Sequence, residues 1–158
     1  MKSRPDSPGV FIPPPLFYVL FFLLSFILQG YFTIRGAFFF HSRLANIIGL
    51  VILIIGFSFA VPAVRQFFRS KTSIVPIMPA SSLQTHGIYS ISRNPMYLGL
   101  LLQYLGLAFI FGNWWTLILI PVLVGMIYFF VISPEERYLS RAFGDSYSDY
   151  KKRVRRWI

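Results

Sequence analysis

Over most of this chain apolar residues do not alternate with polar ones; they run in long blocks. A bilayer-spanning helix takes about 20 consecutive, mostly apolar residues. Four blocks fit that description, at about 15–32, 44–68, 95–111 and 114–132. The first follows Ile12-Pro13-Pro14-Pro15, and Pro62 inside the second is expected to kink it or end its apolar part. Only Gly112-Asn113 separates the third block from the fourth, which predicts a tight helical hairpin. Trp114, Trp115 and Tyr128 suit interfacial or packing positions near its ends. After residue 132 polar and apolar positions mix, as in a short amphipathic helix. The expected fold is an all-α integral membrane protein with about four transmembrane helices, a single membrane domain over residues 1–158. Phe-rich faces are read as lipid contact.

Composition excludes the soluble alternatives. Of 158 residues 56% are hydrophobic and 13% charged, and no Asp or Glu occurs between Ser7 and Pro134. An average soluble domain carries roughly 25% charged residues, so a soluble enzyme, a disordered chain and a soluble nucleic-acid binder are set aside despite the net charge of +10. The chain has no cysteine, and its two histidines, His41 and His86, are far apart. No metal site is therefore expected. Lys2 and Arg4 precede an apolar run, as in a signal peptide, but Gln29-Gly30-Tyr31-Phe32 offers no small-x-small cleavage pattern. An uncleaved first helix is expected.

The distribution of positive charge orients the spans. With four crossings the N-terminus, the middle loop (about 69–94) and the tail (133–158) share one side. Thirteen Lys and Arg residues lie on that side, against Arg35 and Arg43 on the other. Positive charge is retained in the cytoplasm, so both termini are placed there. The two long polar segments then meet at the cytoplasmic mouth of the last helical hairpin, where chemistry with a soluble cofactor would have to occur.

Each segment carries candidate residues beside an ordinary structural reading. In the loop, Asn94-Pro95 reads as an N-cap and first helical residue, and Gly87 as a turn with positive φ. Those roles leave Tyr89, Arg93 and Tyr97 unexplained. A helix N-terminus beside an Arg is a natural seat for a carboxylate or phosphate. In the tail, Ser133-Pro134-Glu135-Glu136 reads as a capping box closed by Glu136. Glu135 and Glu136 are nevertheless the only carboxylates between Asp6 and Asp145, and they sit at the membrane edge. Tyr147 and Tyr150 share a helix face. The basic end, Lys151-Lys152-Arg153-Val154-Arg155-Arg156, suits anionic lipid headgroups better than nucleic acid.

Together the two segments resemble the isoprenylcysteine carboxyl methyltransferase and phospholipid methyltransferase families of integral membrane enzymes. The loop matches at Thr85, Gly87, Tyr89, Arg93, Pro95, Tyr97 and Gly99, and the tail at Glu135, Glu136, Leu139, Phe143, Gly144, Tyr147, Tyr150 and Arg156-Trp157. The match covers about residues 81–158; the first two helices match only as generic spans. The resemblance implies transfer of a methyl group from S-adenosylmethionine to a lipophilic acceptor drawn from the bilayer, either a prenylcysteine-like carboxylate or a lipid headgroup amine. It implies a cofactor site of Gln84, Gly87, Tyr89, Arg93, Asn94, Pro95, Tyr97, Gly99, Glu136, Tyr147 and Tyr150, joined by Ser82 and Leu83. Glu135 is implied as the catalytic acid or base.

Three positions depart from the family patterns. Asn94 stands where the family has His, and Val131 where the isoprenylcysteine enzymes carry an Arg. Leu98-Gly99-Leu100-Leu101 lacks the Gly-x-Gly of phospholipid methyltransferases. Sterol reductases share a related loop-and-tail site but use NADPH, so a membrane reductase is the alternative enzyme. A non-catalytic membrane protein keeping the fold is the third reading.

Overall fold

The computed structural model describes residues 9–10, 12–34, 40, 42–69 and 82–158. Of the charges used for orientation, Lys2, Arg4, Arg35 and Lys71 lie outside the described residues, as does His41. The described part is helical: α1 Pro14–Tyr31, α2 Arg43–Arg69, a 3-10 turn Gly87–Ser90, α3 Pro95–Phe111, α4 Trp114–Ile118, α5 Ile120–Ile127, a π-helical turn Tyr128–Ile132 and α6 Ser133–Arg153. Two helices, Pro14–Tyr31 and Arg43–Gln66, are long and apolar enough to cross a membrane; Pro95–Phe111 is apolar but shorter.

Helix α2 includes Pro62 and runs on to Arg69, while its apolar part ends at Gln66. Before that proline, α2 packs closely against α3. Gly49 and Gly56 face Gly106 and Gly99, and a Cβ at any of the four would come within 2.7–2.8 Å of a backbone atom of the opposite helix. The two backbones are in close contact there, with Ala60 lying on Gly99. Small residues permit this approach where lipid offers no hydrophobic drive for association.

The hairpin forms as its link predicts. Gly112 takes φ 65°, ψ 38° and its N–H donates to the Ala108 carbonyl, closing α3. The Asn113 side chain then accepts from the Trp115 N–H and opens α4. Its amide nitrogen donates to Ser25 Oγ at 3.1 Å, which also accepts from Thr116 Oγ1 at 2.9 Å. All three side chains are buried, so this end of the bundle is tied by a satisfied polar knot. Helix α1 packs on the hairpin, with Phe17, Tyr18, Tyr97, Tyr104, Leu123, Ile127, Val131 and Ile132 in one core.

The fourth block departs most from expectation. It is divided into α4, α5 and the π turn, and then continues into α6 with no loop. Ser133 has helical φ/ψ and no side-chain cap forms at the start of α6, so the expected capping box is absent. The π turn supplies the continuity, since its wider winding lets consecutive Val131 and Ile132 both reach the core. The tail is longer than the short helix expected. It is kinked at Gly144 (φ 50°, ψ −122°), which turns its second half back over the loop.

Candidate cofactor and active site

The backbone at residues 92–94 and the chain's last residues hold each other. Arg93 N–H donates to the Arg155 carbonyl at 3.0 Å. Ser92 Oγ and Asn94 Nδ2 both donate to the Arg156 carbonyl, at 3.2 and 3.1 Å. Asn94 does stand at the N-cap position of α3, but its side chain makes no cap and serves this strap instead. Pro95 is buried as the first residue of α3.

Two separate polar pairs lie beneath the strap, one for each glutamate. Tyr97 Oη donates to Glu135 Oε2 at 2.8 Å, and Tyr97 is itself fixed by the Tyr18 hydroxyl, which donates to its carbonyl at 3.0 Å. Glu136 receives a bidentate pair from Arg156, Nε to Oε1 at 3.0 Å and NH2 to Oε2 at 2.8 Å, and Arg93 NH1 lies 3.1 Å from its Oε1. The Arg156 guanidinium also sits 5.0 Å from the centroid of the Tyr128 ring. Consecutive helical residues point about 100° apart, and here that angle sends the two carboxylates to different partners rather than exposing one.

The aromatic members close the site from the tail. Tyr147 and Tyr150 are buried with Val154, against Leu83, Leu139 and Phe143. Tyr150 Oη donates to the Tyr89 carbonyl at 2.6 Å, and Arg93 NH1 donates to Tyr147 Oη at 3.4 Å. The Gly144 kink makes these contacts possible.

Burial decides the electrostatics. It pushes the Glu135 carboxyl up to about 7; the Tyr97 hydrogen bond opposes the rise and the charge of Glu136 adds to it. Burial also pushes up the Tyr89 phenol, with Glu135 adding to the rise, and takes Tyr147 to about 12. The cluster therefore offers neutral phenols around one carboxyl that titrates near neutral pH. Arg93 Nε is buried and has no acceptor among the described residues. That orphaned donor demands an anion or carbonyl oxygen, which fits a ligand carboxylate.

The structure thus gathers Tyr89, Arg93, Asn94, Pro95, Tyr97, Glu135, Glu136, Tyr147 and Tyr150 around one junction. Two other predicted residues lie at its edge. Gln84 accepts from Gln66 at the end of α2 and donates to Ser82, and Gly87 (φ 61°) packs beside the same Gln66. Gly99 is elsewhere, in the contact with α2. Residues not singled out from sequence are Tyr18, Gln66 and Ser92. Arg156 had been grouped with the lipid-facing cations because it ends a basic run, and only the Arg-Trp of the tail pattern hinted otherwise.

Residues 44–146 match the phospholipid methyltransferase family. The chain is 38% identical over 72 residues to a protein-S-isoprenylcysteine O-methyltransferase of Schizosaccharomyces pombe, covering 46% of this chain and 30% of that protein. It is 32% identical over 116 residues to protein-S-isoprenylcysteine O-methyltransferase B of Arabidopsis thaliana, covering 72% of this chain and 58% of that protein. The chain thus spans less than two thirds of the length of either relative. No solved structure matches it.

Proposed function

Because this chain belongs to the phospholipid methyltransferase family, we propose that it is an integral membrane enzyme that transfers a methyl group from S-adenosylmethionine to a lipophilic acceptor. The observation that carries the reading is the junction of loop and tail, where a near-neutral carboxyl and an unsatisfied buried guanidinium nitrogen meet among tyrosines. When bound, the cofactor supplies an electrophilic methyl group on a cationic sulfur. Arg93 would hold its carboxylate through the orphaned Nε, and the aromatic cluster of Tyr89, Tyr147 and Tyr150 would border its adenine. Gln84 and Gly87 border that cluster, and the packing of tail on loop keeps water out.

Glu135 accepts the proton that an amine acceptor must lose, and Tyr97 fixes the orientation of its carboxylate. A carboxylate acceptor would need a cation where Val131 stands, and Val131 is buried in the apolar core. A lipid headgroup amine is therefore the favoured acceptor class. The chain crosses the bilayer four times as one membrane domain, with both termini cytoplasmic and the site at the cytoplasmic mouth. Exposed Lys152, Arg153 and Arg155 meet anionic headgroups there.

Titration calorimetry of purified protein with S-adenosylhomocysteine and, separately, NADPH tests the reading. Binding of the first alone supports it. Binding of NADPH alone would replace it with a reductase, and binding of neither would leave a non-catalytic protein of this fold.

A further inference from the structure

Two carboxylates adjacent in sequence, at a water-poor membrane edge, compete for one proton and repel each other when both are charged. In this protein the two are treated unequally. Glu136 has both oxygens engaged by Arg156 and a further contact from Arg93. Among the described residues Glu135 has only the Tyr97 hydroxyl. Arg156 lies 20 residues further along the chain and reaches Glu136 because the Gly144 kink folds the tail back. Its carbonyl, not its side chain, makes the strap contacts with Ser92 and Asn94, so strap and charge pair are separable by mutation.

We propose that Arg156 is a positioning residue for Glu135: by locking the Glu136 carboxylate in a bidentate pair, it leaves Glu135 as the one carboxyl that faces Tyr97 and exchanges the proton. This rests on the reading of Glu135 as proton acceptor. Among the described residues, the titratable groups that interact with Glu135 are Tyr97 from α3, Tyr89 from the 3-10 turn, Tyr147 from the second half of α6 and Glu136 from its own turn. Glu136 is the neighbour whose uncovered charge acts on Glu135. Arg156 acts through Glu136 and not on Glu135 directly.

The test is the infrared carboxyl band of Glu135, identified by its loss in Glu135→Gln and titrated in the full chain in lipid nanodiscs. Arg156→Gln should raise the midpoint by roughly half to one pH unit, and Arg156→Lys by less, since it keeps the charge but not the fork. Glu136→Gln should lower the midpoint, and the double variant Arg156→Gln/Glu136→Gln should titrate like Glu136→Gln alone. An unmoved midpoint in Arg156→Gln overturns the proposal, and so does an equal rise in the Glu136→Gln background. Should Arg156→Gln fail to fold, the same comparison with Arg156→Lys decides. Because the band requires neither cofactor nor acceptor, an unmoved midpoint leaves the methyltransferase reading standing. Failure to bind S-adenosylhomocysteine sinks that reading instead, with the band shift intact.

Discussion

Tyr97 and Glu135 are joined by a 2.8 Å hydrogen bond from the phenol to the carboxylate, linking the first turn of α3 to the first turn of α6. The bond puts the protein's near-neutral acid against the helix that begins the loop-side half of the site. It also fixes the orientation of that carboxyl.

The first prediction concerns Glu135 and pH. Burial raises its folded value to about 7 from the ordinary carboxylate value of 4.5. A raised value means that the group's contribution to stability is fully present below about pH 4.5 and is lost as pH rises through about 7. The wild type should therefore lose thermal stability between pH 5 and pH 8 more steeply than Glu135→Gln. Methyl transfer, which needs the ionised base, should rise through the same window and be absent in Glu135→Gln, while S-adenosylhomocysteine still binds. Parallel stability profiles for the two proteins would refute the assignment.

The second concerns the donor. In Tyr97→Phe the carboxylate loses the bond that favours its charged form, so its titration should move further up and the pH–rate profile with it. The stability cost should be about 1 kcal/mol for one lost hydrogen bond. A profile that does not move would mean that the pairing is not formed in the working protein.

Much of this site was legible in the sequence because its signals are local. Gly112-Asn113 between two apolar runs can only be a tight link, and Tyr89, Arg93, Tyr97 and Glu135 stood out as polar groups without a structural job. What was not legible depends on chain distant in sequence. Glu136 looked like a capping-box residue, since the Ser-x-x-Glu pattern cannot tell a helix start from a helix that continues through a π turn. Its real partner, Arg156, arrives only because the tail folds back at Gly144. Gly49, Gly56, Gly99 and Gly106 carried no message individually; their seven-residue spacing acquires meaning only when α2 and α3 lie side by side.

That pairing gives the third prediction. Gly106→Ala or Gly56→Ala places a methyl within 2.7–2.8 Å of the opposite backbone and should destabilise by about 1–3 kcal/mol through overpacking. Gly125→Ala, in α5 with nothing within 4 Å of the added carbon, should be neutral or slightly stabilising. Thermal unfolding in one detergent ranks the three. Equal tolerance of all of them would show that α2 and α3 are not in backbone contact.

The fourth prediction addresses topology. A reporter fused after Ile158 and one inserted at Gly112-Asn113 should lie on opposite sides of the membrane, the first cytoplasmic. The same side for both would change the number of crossings and detach the site from the cytoplasmic face.

The fifth separates two glycines that both have positive φ. Gly112 sits at φ 65°, ψ 38°, the left-handed helical region that Asn also visits. Gly144 sits at φ 50°, ψ −122°, outside that region and open essentially to glycine alone. No atom lies within 4 Å of a Cβ built on Gly144, so any penalty there comes from the backbone and not from crowding. Gly112→Asn should therefore cost well under the roughly 1 kcal/mol of a typical point mutation. Gly144→Asn should be as damaging as Gly144→Ala, each by about 1–3 kcal/mol. If the tail relieves the strain by straightening, Tyr150 leaves the Tyr89 carbonyl, Tyr147 leaves Arg93, and Arg156 can no longer reach Glu136. Both Gly144 variants should then lose S-adenosylhomocysteine affinity along with stability, whereas Gly112→Asn should keep both. Rescue of Gly144 by Asn would mean that the kink is an ordinary left-handed turn, and would remove the reason for the tail to fold back over the loop.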